Sequence, residues 1–129
     1  MRQRTWLPNK PRPPARPKVL DAVREAVDAQ AAITVAALKK RFRKKTRNPR
    51  FNWPDDLFTR WHRDALYFVV VMRTPSGRPP TLETHVARME HVGHGKFNLA
   101  VPMRRGWNTV QRDATPEQCL RVICELVWL

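Results

Sequence analysis

The chain has 129 residues, 25 Lys/Arg against 11 Asp/Glu, and a formal charge of +14, with a hydrophobic content of 42% that suits one small folded unit. No apolar run approaches the ~18 residues of a membrane span, no apolar segment follows the basic N-terminus as an export signal would require, and two cysteines are too few for a disulfide scaffold. The charge is lopsided: residues 1–50 hold 15 Lys/Arg and 3 Asp/Glu, net +12, and residues 51–129 hold 10 and 8, net +2, which points to a polyanionic partner and a soluble, reducing, cytoplasmic setting (nuclear in a eukaryotic host).

Residues 1–17 read as an extended basic arm outside the domain, which takes up residues 18–129. Pro8, Pro11, Pro14 and Pro17 recur at every third position, the period of a polyproline II helix. Pro11-Arg12-Pro13-Pro14-Ala15-Arg16 also fits the pattern of peptides that dock in aromatic, proline-reading grooves.

From residue 18 to 46 the pattern is helical. Leu20, Val23, Val27, Ala31, Val35, Leu38 and Phe42 step by three or four along one stripe. Ile33-Thr34-Val35 offers a break, with Thr34 as the cap of a second helix, but Asn48-Pro49 leaves no room for a recognition helix after the basic run, so one long helix is expected. Its end is the densest cationic stretch: Lys39, Lys40, Arg41, Arg43, Lys44, Lys45, Arg47 and Arg50 place eight cations in twelve residues with no acid. Two or three cations would complement the negative end of the helix dipole. The excess costs like-charge repulsion and so asks for a phosphate-bearing partner.

Residues 57–111 read as an antiparallel meander of three to five strands. Asn52-Trp53-Pro54-Asp55-Asp56 looks like a cap, a proline at the first helical position and acids in the first turn, giving a short turn or helix before Leu57. A weak strand signal at 59–62 is followed by a strong one at 66–73, apolar on both faces as in a covered central strand. Strands at 82–92 and 96–103 flank Gly93-His94-Gly95, and Arg104-Arg105-Gly106 turns into a short last strand at 107–111. In 96–103, Phe97, Leu99, Val101 and Met103 alternate with polar or small residues; Pro102 argues for an edge or a strand end.

Thr115-Pro116-Glu117-Gln118 is a capping box with proline at the first helical position, opening a helix over 116–128 with Cys119, Val122, Ile123, Leu126 and Val127 as its buried stripe. Cys119 and Cys124 would lie ~7.5 Å apart along the helix and ~140° apart around it, out of disulfide reach. The fold class is therefore α+β: an antiparallel meander packed by a long N-terminal helix and a C-terminal helix. That order resembles, in order only, the double-stranded-RNA-binding domain. That family opens its last helix on a Lys-Lys-x-Ala-Lys-like start, whereas here the acid in Thr115-Pro116-Glu117-Gln118 would repel phosphate, so no residue role carries over.

Chemistry-bearing patterns are sparse. His91-x-x-His94 with a cysteine lacks the spacing of a zinc site, and His85 and His91 share strand parity on what reads as a solvated face. Ser76 is the only serine, and Glu83 and Glu90 fall on opposite strand faces. No catalytic set, metal site or cofactor is assigned. Aromatics interleaved with cations are the better lead: Arg41-Phe42-Arg43, Arg50-Phe51-Asn52-Trp53, Arg60-Trp61-His62-Arg63 and Arg104-Arg105-Gly106-Trp107. Such sets hold phosphates while rings stack bases. The expected function is non-catalytic binding of RNA or DNA, with Lys39 to Arg50, Arg104, Arg105 and Trp107 as the contacting set. An acidic or proline-reading protein is the alternative partner, and a cryptic enzyme comes third.

Overall fold

The computed structural model describes residues 19–44, 52–75 and 82–126. Its elements run α1 (Asp21–Arg43), β1 (Trp53–His62), β2 (Ala65–Arg73), β3 (Leu82–Gly93), β4 (Lys96–Met103), β5 (Gly106–Ala114) and α2 (Pro116–Leu126). The strands form one antiparallel sheet in chain order, β1-β2-β3-β4-β5.

α1 is a single helix. Ile33-Thr34-Val35 does not break it, because Thr34 is buried on the core side while Ile33 stands 73% exposed, and a β-branched residue costs a helix only a few tenths of a kcal/mol. The expected bounds shift inward, since Val19 and Leu20 are not helical, Leu20 is the cap residue, and the helix ends at Arg43 with Lys44 as its C-cap. Val27, Ala31, Leu38 and Phe42 keep the predicted stripe, while Leu20 leaves it for solvent.

The segment expected to form a short turn or helix is instead the first half of β1. Pro54 is tolerated because β1 is an edge strand, and a bulge lies between Pro54 and Asp56. The acids that resembled first-turn residues tie this strand down: Asp55 accepts from Arg73 Nη2 at 2.6 Å, and Asp56 Oδ1 accepts from Lys39 Nζ and from the Leu57 N–H, both at 2.8 Å. At the far edge β5 extends to Ala114, three residues beyond the expected end.

A second bulge explains the failed parity argument on β3. Phe68 pairs with Ala87 but Val69 pairs with His85, so Val86 is an extra residue and the in/out phase of β3 reverses around it. His85 and His91 consequently lie on opposite faces, and Glu83 and Glu90 on the same one. His91 is buried, its ring 5.2 Å from that of Phe97, and its Nε2 accepts from the Gly95 N–H at 3.3 Å, bracing a turn in which His94 adopts φ 54°.

Both helices pack on one face of the sheet. Leu57, Leu66, Phe68, Val70, Phe97 and Leu99 point toward them and, with Leu38, Phe42 and Ile123, are almost fully buried. Each such side chain stabilises the fold by roughly 1.5–3 kcal/mol. α2 opens on the predicted capping box: the Gln118 N–H donates to Thr115 Oγ1 at 3.2 Å and the Thr115 N–H to Gln118 Oε1 at 2.9 Å. The two helices run in the same direction. Arg24 Nη2 donates to the Arg63 carbonyl and Trp61 Nε1 to Asp28 at the start of α1, whereas Lys39 meets Asp56 and Arg41 Nη1 meets the Cys124 carbonyl at the other end.

Candidate functional site

Alternating strand direction brings the end of α1, the end of α2, the start of β1 and the β4–β5 turn to one end of the sheet. Arg104 and Arg105, distant in sequence from the basic run, therefore sit at the same end as Lys40, Arg43 and Lys44, and all five are exposed. Lys45, Arg47, Arg50, Phe51 and the arm lie outside the described residues.

Two of the predicted cations have structural partners at this end. Lys39 pairs with Asp56 at 2.8 Å, and its hydrogen bond, then the Leu57 N–H, holds the Asp56 carboxyl below the usual carboxylate range. Arg41 donates to the Cys124 carbonyl at 3.0 Å. α2 has no basic residue in its own last turn, so Arg41 provides from α1 the positive charge that the carbonyl end of α2 lacks.

A second feature occupies the sheet face turned away from the helices. Arg60, Tyr67 and Arg88 are register partners on β1, β2 and β3, an aromatic ring flanked by two guanidinium groups in one row. Around it, Tyr67 lies 5.0 Å from His85, 5.8 Å from Trp107 and 6.4 Å from His62 between ring centroids. Tyr67 and Trp107 stand three strands apart, ~14 Å by strand spacing alone, so their side chains lean together. Ala100, between Arg88 and Thr109 in register, is small enough to be covered. The Arg88 guanidinium lies over the Trp107 ring at 4.5 Å, and its Nε is buried without a hydrogen-bond partner among the described residues. Arg60 lies 5.3 Å over Phe58 and pairs with Glu83 at 2.8 Å.

Of the cation–aromatic leads in the sequence, Trp107, Arg60 and His62 reach this face. Phe42 is core, and Trp61 packs against the core under Arg24, with the guanidinium 4.7 Å from its ring. Tyr67, His85 and Arg88 are additional. The available signal was Tyr67, the one residue with a polar side-chain atom in Leu66-Tyr67-Phe68-Val69-Val70-Val71-Met72: a phenol in an otherwise apolar strand marks the face that water reaches. Val69, also on that face, is nonetheless fully buried, with Phe58 and His85 beside it in register. Among the described residues no three His, Cys, Asp or Glu side chains are grouped to hold a metal, and no helix is long and apolar enough to cross a membrane.

Fold and site together define a small α+β protein whose five-stranded antiparallel meander is covered by helices on one face and carries an aromatic–guanidinium cluster on the other. The chain belongs to the family described as a domain of unknown function, DUF3024, whose model matches residues 4–126. Comparison with curated proteins and with solved structures gives no match.

Proposed function

We propose that this protein is a small, non-catalytic RNA- or DNA-binding accessory protein that grips the phosphate backbone at the basic end of its sheet. The observation that supports the reading is the placement of Lys40, Arg43 and Lys44 at the same end of the sheet as Arg104 and Arg105, exposed cations from two separate segments. The negative ends of both helix dipoles fall at the same place, where α1 has its own Lys40, Arg41 and Arg43 and α2 borrows Arg41. Further cations at that end exceed what the dipoles require and are costly to each other until a polyanion joins them.

The test is equilibrium binding of fluorescent oligonucleotides across a salt series. With five or six phosphates neutralised, log K falls with log[salt] with a slope of ~3.5–4.2 in magnitude for a single strand. Absence of binding at ~50 mM salt, where this attraction is near its strongest, refutes the proposal. Salt-resistant capture of an acidic or proline-rich protein in place of nucleic acid would assign the basic end to a protein partner.

A further inference from the structure

From the helix-free face of the sheet we infer that the nucleic acid is taken as a single strand, with unpaired bases stacked on Tyr67, His85 and Trp107 and flanked by Arg60 and Arg88. This rests on the nucleic-acid reading above and adds the form of the ligand. Three observations converge on it. The rings lie on the one sheet face that no described helix covers, and they remain accessible: His85 is exposed, and Tyr67 and Trp107 are half-buried. A cluster built only to seal Val69 needs apolar side chains, not the row Arg60–Tyr67–Arg88. Finally, Trp107 directly follows the Arg104-Arg105-Gly106 turn, so the cluster begins where the phosphate grip ends.

The chemistry selects an unpaired strand. Bases in a duplex present only their edges, and the major groove of an RNA helix is too deep and narrow for a sheet face to enter, so rings and planar guanidinium groups on a surface gain little from either. An extruded base offers a π-face to any of the three rings. Arg88, its guanidinium 4.5 Å over the Trp107 ring, enlarges that surface and keeps its outer N–H groups for base acceptors or phosphate. Such recognition tolerates many sequences, because every base has a π-face.

The experiment compares an intact single strand, in RNA and DNA versions, with an abasic strand of equal phosphate number and with a duplex of equal length. Wild-type protein is expected to bind the intact strand about ten- to a hundredfold more tightly than the abasic one. Trp107→Leu keeps apolar bulk without a π-face and should erase most of that preference, and Trp107→Phe should restore part of it. Tyr67→Leu provides an independent readout should the Trp107 variants fold poorly. Equal wild-type affinity for intact and abasic strands, or tighter binding of the duplex, overturns the stacking face and leaves the phosphate grip standing. Failure to bind any of them at ~50 mM salt overturns both.

Discussion

Replacing Lys40, Arg43, Lys44, Arg104 and Arg105 together by glutamine should uncouple binding from salt without harming the fold. Each exposed cation that meets a single-strand phosphate contributes ~0.7 to the slope of log K against log[salt], so removing five lowers the slope by ~3.5. Over a fourfold rise in salt, from about 50 to 200 mM, wild-type affinity should fall about a hundredfold more than that of the variant. Among the described residues none of the five makes a side-chain hydrogen bond or ion pair, Arg43 only adding to the positive field at Asp56, and surface changes of this kind stay within ~0.5 kcal/mol, so the melting temperature should hold steady or rise as repulsion is relieved. Arg41→Gln is the contrasting control. It removes the donor to the Cys124 carbonyl, and a loss of about 1 kcal/mol should lower the melting temperature by a few degrees. Anisotropy titrations paired with calorimetric melts make the measurement. A variant slope within one unit of wild type would show that phosphate is held elsewhere, and a collapsed melt would show that these cations are structural.

Asp56→Asn should cost under about 1 kcal/mol near neutral pH, because the pair with Lys39 is partly exposed and screened by water. The carboxyl is held below its ordinary value of 3.8 in the folded state, so its contribution is complete above that value and is lost as pH falls through the folded one. The gap in melting temperature between wild type and variant should therefore close below about pH 4, and a gap that widens in acid would contradict the assignment. Phe68→Ala, at a fully buried position, should lower the unfolding free energy by about 3–5 kcal/mol, against under ~0.5 kcal/mol for Ile33→Ala on the exposed side of α1; denaturant titration compares them. Cys119 is fully buried, its thiol pushed up to about 11 by burial, while Cys124 is half-buried. A thiol reagent at pH ~8 should accordingly label one cysteine per native chain and the second only on unfolding, since the thiolate is the reactive form. Two fast thiols in native protein would contradict the packing of α2.

Local rules held where one short-range interaction decided the outcome. The reciprocal Thr115–Gln118 hydrogen bonds stand where the capping box required, and the stripe Val27, Ala31, Leu38 and Phe42 faces the core as its spacing implied. They failed where tertiary context chose between equally good local readings. Asn52-Trp53-Pro54-Asp55-Asp56 has the composition of a helix start, yet its acids are taken by Lys39 and Arg73, and its proline is acceptable on an edge strand whose edge position no local signal announces. Parity on β3 failed because Val86 forms a bulge, and a single extra residue moves His85 away from the side occupied by His91. The candidate site suffered most from this. Lys40, Arg43, Lys44, Arg104, Arg105 and Trp107 were legible as cations and an aromatic beside them, but the grouping of Tyr67, His85 and Arg88 with Trp107 depends on pairing register and on that bulge.

Charge itself separates the two parts of the proposed surface. The helix-free face is nearly balanced: Arg60 is matched by Glu83, and Arg88 lies on the same face as Glu90. Such a face exerts little long-range pull on a polyanion, and its rings act only at contact. The end of the sheet has the opposite character, with cations that attract from a Debye length away but read no base. Under the proposal, capture at the end and retention on the face are different kinds of interaction, joined at Trp107. Changing a ring should alter how long a strand stays, whereas changing a lysine or arginine should alter how fast it arrives.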